Sequence, residues 1–290
     1  MRLLSISSVA GLSLLATTAL APALADPPAT WTPDPNFPDY YQRDPTVMNG
    51  NCACAPVAAV DSLFWLAQKY NLPNLTNGVT WQQLTNRLEG VRFMGTDFHG
   101  NTSAERFVKG MDEYIDVADN QNRLEVKTRL GGSGDPPDLN FIQSEVAAGE
   151  DVEILVLWIE NGRNPGDPAR TLGGHWVAVT GYTTNDLLVA DPWTNNDDNA
   201  EVMPVNHIAS VTLDIDNNGG TVANYTQDYL EVTVNDGLTF AGADNMIIFA
   251  AVSESPAPEP ATWALMAVGF VGLGAAGRIA ARRDARRRPV

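Results

Sequence analysis

Apolar residues recur at spacings of three and four from about residue 54 to residue 150, and beyond that they alternate or run together. The first regime predicts helices and the second predicts strands. Val57, Val60, Leu63, Phe64, Ala67 and Tyr70 line one face of a helix over 54–70, with Pro56 in the first turn, where its missing N–H costs nothing. "TWQQLTNRL" (80–88) predicts a short helix and "SAERFVKGMDEYIDVA" (103–118) a longer one. "RLEVKTRL" (123–130) alternates as a strand does, and "GGSGDPPD" reads as a mobile loop. "LNFIQSEVAAG" (139–149) predicts a helix with Asp138 as cap and Gly149 as stop. Six strand-like runs follow: "VEILVLWI", "HWVAVTGY", "LLVADPW", "IASVTLDI", "DYLEVTV" and "NMIIFAAV". Helices crowd the first half and antiparallel-type strands the second, which predicts an α+β fold with the N-terminal helices packed on an antiparallel sheet.

The two ends break this pattern. Residues 1–25 carry Arg2, an apolar run from Leu3 to about Leu20, and "ALA" at Ala23–Ala25, the layout of a signal peptide. Near the other end, "ATWALMAVGFVGLGAAG" (261–277) is a 17-residue run without charge, about the shortest that spans a bilayer. Six arginines follow it, and positive residues hold that side in the cytoplasm. Glu259 between Pro258 and Pro260 precedes it. Pro-Glu-Pro, apolar span and arginine cluster together resemble the PEP-CTERM sorting signal of Gram-negative bacteria, over residues 256–290. The resemblance implies an exosortase and a signal peptidase as processing partners. It also implies transient anchoring in the inner membrane, then release or attachment at the outer surface. The division expected is therefore signal peptide 1–25, one domain over 26–255 whose first part (26–47) is an extended arm, and sorting signal 256–290.

Charge changes the picture of partners. Setting both ends aside leaves 11 of the 18 basic and 33 of the 35 acidic residues, a net charge near -22. Such a body repels nucleic acid.

The chain has two cysteines, Cys52 and Cys54, one residue apart. A disulfide between them would close a strained ring, and two thiols without a His-x-x-x-His are too few for zinc. No metal or other cofactor is called for. Cys54 lies at the start of the first helix, where the helix dipole stabilises a thiolate; Cys52 lies further out and is left unexplained. A thiol nucleophile needs a base, and there are three histidines. His99 falls in a polar loop and His207 just before a strand. His175 opens an apolar strand behind Gly173 and Gly174, glycines that allow close approach of a backbone or ligand. Asp191 ends the next strand, where a short turn would bring it near His175 and let it orient the imidazole.

"CAPVAAVDSLFWL", "GGHWVAVTGY" and "VADPW", in that order, resemble the papain-like cysteine peptidases of the C39-like type over roughly residues 40 to 195. The resemblance implies that fold, with Cys54 as nucleophile, His175 as general base and Asp191 as orienter, acting on a peptide or protein substrate. The family places a Gln a few residues before the cysteine as oxyanion donor. The nearest here is Gln42, twelve residues upstream, so Asn49 or Asn51 are the candidates, beside the Cys54 backbone N–H. Acyl transfer by the same triad, or a non-catalytic protein that binds matrix or peptide at the cell surface, would use the same fold. Asp214, Asp216 and Asn218 match half of a calcium loop, although Tyr225 stands where a bidentate Glu belongs; an Asn-Gly hairpin accounts for the same letters.

Overall fold

A computed structural model describes residues 27–96, 102–119, 124–162, 167–193, 201–216, 222–232 and 243–256. Both end segments, His99 and Asn218 lie outside the described residues. No helix among the described residues is long and apolar enough to cross a membrane, and the run at 261–277 is not among them.

Among the described residues the chain forms four α-helices and seven strands: α1 (Cys54–Lys69), α2 (Trp81–Leu88), α3 (Ala104–Ala118), β1 (Leu124–Leu130), α4 (Leu139–Ala148), β2 (Val152–Glu160), β3 (Ala169–Tyr182), β4 (Asp186–Ala190), β5 (Glu201–Asp216), β6 (Val222–Val232) and β7 (Asn245–Pro256). Local chemistry sets the helix ends. Thr80 and Gln83 close a capping box on α2, Ser103 caps α3, and Asp138 caps α4 through the Phe141 N–H. Gly149 ends α4 at φ +82°, a left-handed conformation that glycine reaches without strain.

The strands run in the order β1-β7-β2-β3-β4-β5-β6, and β6 pairs back onto β7. Six strands thus close into an antiparallel, barrel-like sheet, with β1 added outside the ring. One edge of β7 serves two partners: Met246 to Ile248 pair with β6, and Ala250 to Pro256 pair with β1. This corrects the expectation of a sheet drawn from the second half alone, because β1 joins it from between α3 and α4.

Alternation along β2 divides its side chains between two cores. Ile154 and Val156 point into the barrel, with Val177, Val179, Leu187 and Ile248, and α4 adds Ile142 and Val146. Leu155 faces the helices, where Trp176 and Ala178 pack with Ala58, Leu63 and Leu66 of α1 and Phe107 of α3. The arm at 27–47 is tied down along its length. Trp31 exchanges backbone hydrogen bonds with Tyr182, Asp34 Oδ2 accepts from Trp65 Nε1 at 3.0 Å, and Tyr40 stacks on Trp81 at 4.7 Å.

One sequence expectation changes and two are narrowed. The loop after β1 is held at both ends, since Gly131 N–H donates to Phe249 O at 2.7 Å and Asp135 pairs with Arg129 at 2.6 Å. Gly173 and Gly174 make room for protein: a Cβ on Gly174 would stand 2.8 Å from Leu157 Cδ2, and one on Gly173 would stand 3.2 Å from the Trp158 ring. Asp214 and Asp216 lie in extended β5, opposite Asn224 and Val222 of β6. A calcium loop has to curl round its ion, so a paired strand through both residues favours the hairpin.

Candidate active site

α1 begins without a side-chain cap. Its N-cap is Ala53, and the first turn holds no acidic residue. The orphan N–H groups and the dipole of the helix therefore face whatever anion stands at its start. Cys54 stands there, 9% exposed.

His175 comes from the middle of β3, directly opposite Val156 of β2, and Asp191 follows the last residue of β4. Antiparallel pairing sets Ala178 against Ala190, which carries the Asp191 turn back toward His175. His175 Nε2 lies 2.5 Å from Asp191 Oδ1, with the two residues 3% and 1% exposed. Asp191 Oδ1 also accepts the Trp193 N–H at 2.8 Å, which fixes the carboxylate against its own turn. Cys54 is the other partner of the imidazole, and each of the two groups shifts the titration of the other. Nε2 being taken by Asp191, Nδ1 is the nitrogen left for sulfur. Two tryptophans bracket the ring: Trp158 lies near-parallel at 6.2 Å and Trp193 edge-on at 6.3 Å. The Arg43 guanidinium covers the Trp193 ring at 3.6 Å.

The electrostatics follow from this packing. Burial alone pushes the Cys54 thiol up. The hydrogen bond and charge of His175, with the N–H groups of Trp176 and Ala55, outweigh burial and hold the thiol below its ordinary value. Burial pushes His175 down, but the charge and hydrogen bond of Asp191, joined by Cys54, raise it to about 10. Each group therefore favours the charged form of the other.

The other expected residues are spread out. Asn49 donates its amide to Glu89 Oε2 at 2.9 Å, at the end of α2, and Asn51 is exposed in the loop before α1. His207 lies in β5, in register with Leu230 of β6. Cys52 donates its N–H to Asn49 O, and neither cysteine is in a disulfide.

Gln42 is the residue that its twelve-residue distance from Cys54 concealed. The chain folds back so that Gln42 N–H donates to Pro192 O at 2.8 Å, next to Asp191, while its buried amide Nε2 donates to Gly50 O at 3.0 Å. It thus joins the Asp191 turn to the loop that leads into Cys54. Its position between "YY" and "RD" carries no local pattern from which this could have been read.

No family model matches the chain, and no curated protein matches it. Among solved structures it is similar to a Bacillus anthracis protein classed as a C39-like peptidase, at 14% identity over 78% of this chain and 98% of that one, with a TM-score of 0.40. It is also similar to xylellain, a cysteine protease from Xylella fastidiosa, at 17% identity over 61% of this chain and 80% of that one, with a TM-score of 0.29. Both likenesses are distant, and neither assigns an activity to this chain.

Proposed function

We propose that this chain is an exported cysteine peptidase of the papain-like type. The observation that carries the reading is the grouping of Cys54, His175 and Asp191: one buried imidazole with a carboxylate 2.5 Å away and a thiol held below its ordinary value beside it. The three residues come from a helix start, a strand interior and a strand end, and packing alone gives no reason to gather them.

In this mechanism the Cys54 thiolate attacks the scissile carbonyl carbon. The developing oxyanion is held by the Cys54 backbone N–H and by an amide N–H of Gln42, which takes the role first sought at Asn49 or Asn51. The proton already on His175 passes from Nδ1 to the leaving amine, and the C–N bond breaks to leave a thioester on Cys54. Water then attacks the thioester, giving its proton to His175, and thiolate and carboxylic acid product separate. Asp191 keeps the ring in position and stabilises the imidazolium. An amine in place of water would give acyl transfer through the same thioester.

Export and surface sorting belong to the proposal and rest on residues 1–25 and 256–290, with signal peptidase and an exosortase as processing partners. Incubating the chain with a peptide library and identifying the products by mass spectrometry tests the activity. The proposal expects new termini with the wild type and none with Cys54→Ala; identical products from both would overturn it.

A further inference from the structure

Two turns along α1 from Cys54, the core holds carboxylates for which peptide chemistry has no use. α1 carries Asp61 and Ser62, Asp151 and Glu153 stand at the start of β2, and Glu254 lies near the end of β7; all five are fully or almost fully buried. Asp151 and Glu153 share a face of β2 by alternation. Pairing of Glu153 with Val252 brings Glu254 alongside, and the Glu254 N–H donates to Asp151 Oδ1 at 3.2 Å. Carboxylate oxygens of Asp151, Glu153 and Glu254 lie within 4.8 Å of one another.

No Lys, Arg or His among the described residues forms an ion pair with these groups. The nearby cations hydrogen-bond to other groups: Lys127 pairs with Glu145 and Glu150, and Lys69, whose charge still reaches Asp151, donates to Gly149 O. Both carboxylate oxygens of Glu153 and of Glu254 lack a hydrogen-bond donor among the described residues, as do Asp151 Oδ2 and Asp61 Oδ2. Ser62 adds an independent sign. Its hydroxyl is wholly buried and faces Asp151 and Glu153, yet it stays outside hydrogen-bond geometry with either.

Carboxylates packed together in the core without an ion pair must be neutralised, by protons passed between them or by a metal ion. Shared protons would couple the acids in pairs, while the unpartnered Ser62 hydroxyl beside them offers the cluster a further oxygen. An ion collects oxygens of every kind around one centre. Hard oxygen donors alone select calcium or magnesium over softer metals. Calcium takes about six to eight oxygens in a flexible geometry, whereas magnesium demands a near-ideal octahedron and keeps several waters, so an all-protein oxygen cage suits calcium better. We propose that Asp151, Glu153, Glu254 and Ser62 hold a calcium ion that pins α1 to β2 and β7. Asp61 stands beside Glu153. The site is separate from the Asp214–Asn218 stretch and does not depend on the peptidase reading.

Every donor is buried, so exchange requires the fold to open, and chelator has to act through an unfolding and refolding cycle. The test uses the chain expressed from its full-length sequence, purified without chelator, assayed for metal by mass spectrometry, and refolded with EGTA or with excess calcium chloride. The expected result is near-stoichiometric calcium and a Tm several degrees higher with calcium than with EGTA. Glu153→Gln should lose both the ion and the calcium response, and Ser62→Ala should weaken the calcium dependence. Should Glu153→Gln fail to fold, the wild-type metal content and the Ser62→Ala titration still decide. Calcium-free protein with the same Tm in EGTA and calcium would overturn the proposal. A calcium response of full size in both variants would overturn it too, by placing the ion elsewhere.

Discussion

Replacing Cys54 by alanine changes how stability depends on pH, and the sign follows from the ion pair. His175 is raised to about 10 in the folded chain. Its contribution is therefore fully present below its ordinary value of 6.5 and is lost as the pH rises through about 10. Cys54 is held below its ordinary value of 9.0, so its contribution is present above that value and is lost as the pH falls through the lower folded one. Between the two ordinary values, and above the folded thiol's own, the slopes oppose each other at about 1.4 kcal/mol per pH unit each, so the wild-type pair is nearly flat. Cys54→Ala deletes the rising slope. The falling one persists, because Asp191 at 2.5 Å still holds the imidazole up. Relative to wild type, the variant should lose up to about 1.4 kcal/mol for each pH unit between the folded thiol's own value and about pH 8.5. Urea titrations of both proteins across that range read the difference directly. Groups elsewhere titrate alike in both proteins and cancel. Parallel stability curves would refute the reasoning, since they would mean a neutral thiol in the folded chain.

Other outcomes follow from the same geometry. Asp191→Asn removes the charge that raises His175, and kcat should fall by about 10²–10⁴-fold as the imidazole loses its orientation and its charge partner; peptide hydrolysis across pH checks this. Gln42→Ala should lower kcat by about 10²–10³-fold with little change in KM, while alkylation of Cys54 stays as fast as in wild type. Gly181→Ala places a Cβ 2.6 Å from Trp31 O, and the unseated arm should cost about 1–3 kcal/mol in chemical denaturation.

Helix ends were legible because capping is local. Thr80 with Gln83, and Asp138 with Gly149, lie within a few residues of the ends they set. The starts of β3 and β5 were not. "ARTLGG" has no alternation, and it is extended because residues 157–160 of β2 pair with it. Closure of the ring through β6 and β7 depends on long-range pairing that no short window holds. Cys54, His175 and Asp191 could be nominated because each sits at a helix start or beside a strand end with recognisable neighbours. Gln42 could not, since only the fold of the loop brings it to Pro192. The buried acids were equally hidden. Asp61 and Ser62 stand among Val57, Val60 and Leu63 as ordinary polar letters of a helix, and their partners lie some ninety and some two hundred residues further on.

The central claim is a thiolate at Cys54 sustained by His175. The pH dependence of iodoacetamide labelling, resolved by peptide mass spectrometry so that Cys52 is read separately, tests it most directly in the wild type and in His175→Ala. A free thiol of pKa about 8.5 is only ~0.3% ionised at about pH 6. An ion-paired thiolate is largely ionised there. Its lower nucleophilicity offsets part of that gain, leaving an advantage on the order of tenfold. The account predicts this excess labelling of Cys54 in the wild type and its loss in His175→Ala. Labelling that follows an ordinary thiol titration in both proteins would contradict it.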